Sequence, residues 1–167
     1  ADRLREEAEK LGWKYYLYKL TGGYTTSPEG ALRLHNKDDD KGFEVSGTDT
    51  IAIIRGSVTR KDSWMDIVSL LEKHSVCVVN SRETISVCAD KYRTSLRLAD
   101  YGVKQPVTHL INDPENSEQA FENLNTQYPV ILKTLRGSKG VGVLFVESAK
   151  SLDSIVQLIH KQEDDAD

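Results

Sequence analysis

Apolar and polar positions change their period several times along the 167 residues. The first stretch, "ADRLREEAEKLG", is charged and helical in spacing, with Gly12 placed to close the helix in left-handed backbone. "WKYYLYKL" follows, rich in aromatic residues, and predicts a strand. Between residues 21 and 49 the apolar period is lost. "TGGYTTSPEG" and "NKDDDKG" are turn-forming and charged and predict a long surface loop. Asp38, Asp39 and Asp40 then read as a solvated face of that loop, without the spacing of a calcium loop. Regular pattern resumes in "TIAIIRGS", a β-branched run of the buried-strand type. "KDSWMDIVSLLEKH" places Trp64, Ile67, Val68 and Leu71 on one helical stripe, with Asp62 or Ser63 as the cap. "VCVVN" is a further short apolar strand, and "SRETISVCA" opens a helix at Ser81. Strands alternating with helices predict an open α/β domain with a mostly parallel sheet over residues 1–89.

From residue 90 the pattern is that of a smaller α+β unit. "DKYRTSLRLADYG" is a helix with Asp90 as its cap, Tyr92, Leu96 and Ala99 on one face, and Gly102 as its stop. "VKQPVTHLI" is extended, because Pro106 disfavours helix in the residue before it. "SEQAFENLNTQ" turns Ala120, Phe121 and Leu124 inward; "YPVILKTL" and "VGVLFVES" are strands joined by a glycine loop. A last helix uses Leu152, Ile155, Val156 and Ile159.

Composition narrows the chemistry. A formal charge of −4 argues against a domain whose work is gripping a nucleic-acid backbone, since such domains carry an excess of Lys and Arg. No apolar run approaches the ~20 residues that span a bilayer, and the charged first residues do not resemble a signal peptide. A cytoplasmic location is the expectation. Cys77 and Cys88 fall in apolar settings and read as buried thiols. The four histidines show no metal-ligand spacing.

The densest chemical signal is "LKTLRGSKGVGV", residues 132–143. A P-loop is ruled out: Gly137 and Gly142 have its separation, but Val143 stands where its lysine must be. A dinucleotide fingerprint fails too, because its third glycine position is Phe145 and no helix follows. Glycines between two strands predict a hairpin whose amides can fold over an anion. Alternation puts Lys133 on the strand face of Ile131, opposite Val130 and Leu132. A lysine there is costly unless an anion or carboxylate meets it, whereas Lys139 sits in the loop and reads as solvated. By itself this pattern fits a glycine hairpin with a snorkelling lysine equally well. Lys91 adds a second cation at the first turn of a helix, unfavourable alone by ~0.3–1 kcal/mol and favourable beside a bound phosphate.

Together, "VVNSRETISVCADKYRTSLRLADYGVKQPVT" and "YPVILKTLRGSKGVGVLFVES" resemble the ATP-grasp carboxylate–amine ligases, and within them the RimK-like glutamate ligases. The likeness runs over residues 76–160; the first half, with "IIRGS" at a strand end, fits the preceding α/β domain of that family more loosely. Lys104 stands where a proline is common. The resemblance implies that Lys91 and Lys133 contact ATP phosphates. The loop of Gly137, Ser138, Lys139, Gly140 and Gly142 would close as a lid over the β- and γ-phosphates, with Ser138 donating its hydroxyl or amide. It implies phosphorylation of a carboxylate by ATP and Mg²⁺, followed by attack of an amine, with glutamate or a similar amino acid added to a carboxylate acceptor on a peptide, protein tail or small molecule. Arg55 and Ser57 end a predicted parallel strand, where open α/β sheets place ligand contacts. Arg55 suits an acceptor carboxylate and a surface salt bridge equally.

Such ligases continue into a hinge that holds adenine and a second lobe with the Mg²⁺ ligands. This chain starts in a helix and ends at "HKQEDDAD", so the expectation is part of a longer ligase, inactive alone. The competing expectation is a non-catalytic nucleotide-binding or interaction module whose tail is "EDDAD". The sequence leaves substrates and oligomeric state open, a homo-oligomer included.

Overall fold

Gly12, at φ +73°, ends the first helix, α1 (Asp2–Lys10), as its position predicts. Its amide reaches the Glu9 carbonyl at 3.0 Å and the Trp13 amide reaches Ala8 at 2.9 Å, the paired bonds that satisfy a helix's last carbonyls. The computed structural model describes residues 2–27, 30–137 and 140–164, with the side chains of 162–164 excepted. Ser138, Lys139 and most of the acidic tail lie outside the described residues. The chain divides into two compact units, residues 1–82 and 83–167.

In the first unit the expected loop at 21–49 is instead a sheet. β1 (Tyr24–Thr26), β2 (Leu32–His35) and β3 (Phe43–Val45) form an antiparallel meander in the order β1-β2-β3. Each strand is three or four residues long, too short for a two-residue period to stand out. Leu32, Leu34 and Val45 supply the core that Leu71 and Val76 complete. On the outer face Arg33 pairs with Glu44. The buried His35 ring stacks on Tyr24 at 4.5 Å.

The expected strand at 13–20 makes no ladder. A side chain takes the ladder's place: Asn36 donates to the Leu17 carbonyl at 2.8 Å and accepts from the Lys19 amide at 2.9 Å. Tyr16 and Tyr18 pack against the core. Asp39 is likewise not merely solvated, since it accepts from the Tyr16 hydroxyl at 2.9 Å and the Gly42 amide at 3.0 Å.

The parallel pairing that the sequence predicts appears once in the described residues. β4 (Ile51–Ile53) runs parallel to β5 (Cys77–Val79), with Ile51 opposite Cys77 and Ile53 opposite Val79. The larger sheet of this unit is the antiparallel meander, so a mostly parallel sheet is corrected. Ala52, Ile54 and Val78 pack inward, while Ile51, Ile53, Cys77 and Val79 share an exposed face. The expectation of a fully buried strand therefore fails on one face. Both cysteines are exposed and free, against the buried reading, because Cys77 stands on that outward face. Helix α2 (Asp62–Lys73) buries Met65, Val68 and Leu71, and Leu71, with Ile67 and Leu70 beside it, joins the cluster on which Ala52, Ile54 and Val78 pack. Trp64 sits beside that stripe, under the Lys61 ammonium at 5.6 Å, and Lys61 rather than Asp62 or Ser63 is the cap residue.

The second unit begins within α3 (Arg82–Cys88) and continues through α4 (Lys91–Asp100) and α5 (Ser117–Asn123). The antiparallel pair β6 (Val130–Lys133) and β7 (Val143–Val146) and the helix α6 (Ala149–Asp164) complete it. Val146, Leu152 and Val156 are its buried centre, with Val130, Leu132, Ile155 and the stacked Phe121 and Tyr128 rings around them. These are the faces that the apolar period predicts for β6, α5 and α6. In α4 the expected stripe is not the packed one: Leu96 and Ala99 are exposed. Polar bonds hold that helix instead, Ser95 exchanging two 2.6 Å bonds with Gln105.

Candidate functional site

Asp90 is the residue from which the site is built. Its carboxylate accepts from the Tyr92 and Arg93 amides, each at 2.9 Å, and so fixes the start of α4. Such a cap leaves the side chain of the next residue at the mouth of the helix. That residue, Lys91, bridges to the end of β6 twice. Its amide donates to the Leu135 carbonyl at 2.9 Å, and its ammonium donates to the Thr134 carbonyl at 2.9 Å.

The same strand end anchors the glycine loop. The Thr134 amide donates to the Gly142 carbonyl at 2.8 Å, extending the β6–β7 ladder by one bond, and the Thr134 hydroxyl donates to the Arg136 carbonyl at 2.7 Å. Gly142 has φ +76°, and a Cβ there would overlap the Thr134 side chain. A Cβ on Gly137 would lie 2.7 Å from the Val141 carbonyl and 3.5 Å from the Lys91 ammonium. Glycine at these two positions lets the chain pass close to itself and leaves the backbone open toward Lys91.

Lys133 projects as alternation predicts, on the exposed hairpin face that carries Ile131, Val143 and Phe145, with Val143 directly across. Phe145 is 62% exposed and Ile131 51%. An apolar face of this extent beside a lysine offers contact to a flat ring and charge to an anion. Lys133 has no ion pair within the chain among the described residues.

Of the residues singled out in the sequence, Lys91, Gly137 and Gly142 are brought together around Thr134. Gly140 lies in the same loop at φ +80°. Ser138 and Lys139 fall outside the described residues. Arg55 and Ser57 belong to the first unit, exposed just after β4, with Ser57 preceding the 3-10 turn Val58–Arg60. Thr134 is the site residue that sequence reasoning missed. Its only signal is a hydroxyl immediately after a strand lysine and before a glycine loop, which no period marks.

A groove of about 490 Å³ also opens on the second unit, lined by Tyr92, Thr108 and the carboxamides of Asn112, Asn116, Gln119 and Asn123. It contains no Lys or Arg, so its chemistry does not suit a phosphate. Among the described residues no three His, Cys, Asp or Glu side chains converge to hold a metal ion. No helix in the described residues is long and apolar enough to cross a membrane.

Residues 88–163 match the family of the RimK-like ATP-grasp domain. A probable alpha-L-glutamate ligase of Teredinibacter turnerae is 29% identical over 157 residues, 93% of this chain and 50% of that protein. One of Thioalkalivibrio sulfidiphilus is 31% identical over 118 residues, 70% of this chain and 38% of that protein. The crystal structure of a RimK domain ATP-grasp protein from Sphaerobacter thermophilus superposes with a TM-score of 0.54 at 25% identity, over 68% of this chain and 41% of that one. The chain spans about half the length of the curated relatives that it matches most fully. Residues 88–163, the stretch of this chain that is similar to the RimK-like ATP-grasp domain, are also the stretch that holds Lys91, Thr134 and the glycine loop.

Proposed function

We propose that this chain is the nucleotide-binding part of an ATP-dependent carboxylate–amine ligase that adds glutamate, or a similar amino acid, to a carboxylate through an acyl phosphate. The observation that carries this reading is the convergence of the Lys91 ammonium with the glycine loop at the end of β6. Lys91 and Lys133 bind phosphate oxygens. The loop from Gly137 to Gly142, Ser138 and Lys139 included, lies over the β- and γ-phosphates with its amides toward them. The exposed Ile131–Phe145 face of the hairpin meets the base or ribose of the nucleotide. Arg55 and Ser57 contact the acceptor carboxylate, for which an exposed guanidinium after a parallel strand is suited. Mg²⁺ enters with the nucleotide, and no ligand to it is assigned within this chain.

ATP phosphorylates the acceptor carboxylate, releasing ADP; the amine then attacks the acyl carbon and releases phosphate. Within that sequence the task of Lys91 and Lys133 is to neutralise charge on the phosphates, and that of the loop is to keep water from the acyl phosphate. Each lysine makes a charge-assisted bond, so Lys91→Ala and Lys133→Ala should each weaken Mg-ATP binding by about tenfold to a hundredfold in calorimetric titration of the chain. Equal affinity of wild type and both variants would remove the phosphate roles.

A further inference from the structure

We propose that Thr134 is a positioning residue of the phosphate site, coupling the Lys91 ammonium to the two stems of the glycine loop. The inference rests on the nucleotide-binding reading and goes beyond it by naming what sets the lysine's direction. Each polar group of Thr134 is used. The carbonyl accepts from Lys91 Nζ at 2.9 Å, the amide donates to Gly142 on the returning stem at 2.8 Å, and the hydroxyl donates to Arg136 on the outgoing stem at 2.7 Å. The close approach of Gly142 to the Thr134 side chain locks the same point sterically.

A lysine is a point charge on a flexible four-carbon stem, and its direction must come from a partner. An ammonium has three N–H donors. Bonding one to the Thr134 carbonyl leaves two for phosphate oxygens and fixes where they point. The carbonyl is held in turn by the hydroxyl bond to Arg136, which shapes the turn as the chain leaves β6, and the Leu135 carbonyl accepts from the Lys91 amide. Lys91 is therefore preorganised through Thr134, and the ordering cost is met before the nucleotide arrives. The Thr134 amide and hydroxyl both donate to carbonyls within the chain, which separates its role from direct phosphate binding.

The test is a double-mutant cycle in the 167-residue chain, read by calorimetric titration with Mg-ATP. Thr134→Val keeps the branched shape and removes the hydroxyl. It should weaken binding about three- to tenfold, and Thr134→Ser, which restores the donor, should return affinity to within about twofold of wild type. In a Lys91→Ala background Thr134→Val should cost nothing further, because the group that it positions is gone. If Thr134→Val does not fold, Thr134→Ala against Thr134→Ser carries the same comparison. Unchanged affinity in Thr134→Val, no rescue by serine, or losses that simply add in the double variant would overturn the positioning role. A wild-type chain that binds no Mg-ATP would sink the nucleotide-binding reading and this inference with it. Binding with additive losses would sink only this inference.

Discussion

The Tyr16 hydroxyl lies 2.9 Å from the Asp39 carboxylate and 3.1 Å from the Leu34 carbonyl, joining two segments that the pattern leaves as unrelated. Asp39 is held below the ordinary carboxylate range by that hydroxyl first and by the Gly42 amide next. The Tyr16 phenol is pushed up by burial, and further by its bond to Asp39. Asp39 therefore stabilises the folded chain above its unfolded value of about 4. That contribution fades as pH falls through its lower native value. The Tyr16 contribution is present below about 10 and is lost as pH rises through its higher native value. Tyr16→Phe should lower the urea midpoint near about pH 7 and flatten the acid loss of stability below about pH 4. Urea unfolding at both values checks this, and an unchanged acid limb would assign that loss to other carboxylates. Single residues were legible only where a local rule names them. Asp90 caps α4 and Gly102, at φ +67°, ends it as their positions predict. Tyr16, Asn36 and Thr134 act through partners distant in sequence or through main-chain carbonyls, and no spacing marks them.

At the scale of elements, β2 carries the largest departure from the sequence pattern. Leu32 is fully buried in a segment that composition assigns to a surface loop. Leu32→Ala should cost about 2–5 kcal/mol in urea unfolding, whereas a change in a solvated loop would stay within about 0.5 kcal/mol. A small effect would return the meander to the loop that its composition suggests. Elements long enough to show a full period were legible: α6 buries Leu152 and Val156, and β6 turns Val130 and Leu132 inward. Short strands between charged turns were not. For α2 the period was right and the centre of the stripe was displaced, with Met65 taking the core position expected of Trp64. Burial of β4 was misjudged because β-branched residues fill a half-exposed strand as readily as a buried one.

Across the whole molecule, the sequence most specific to a family lies in the unit with the cation and the glycine loop, residues 83–167. The first unit resembled its expected class in having a parallel pair with α2 between its strands, yet an antiparallel meander makes most of its core. That difference arises because the core of this unit is supplied by segments with strong turn chemistry, and turn residues dominate a compositional reading. The central claim is that the end of β6, the start of α4 and the glycine loop form one phosphate site. Amide shifts of the ¹⁵N-labelled chain during titration with Mg-ATP test it most directly. The expected result is a set of saturable shifts centred on Lys91, Thr134, Gly137 and Gly142. Shifts confined to the carboxamide groove around Asn112 and Gln119, or none at all, would contradict it.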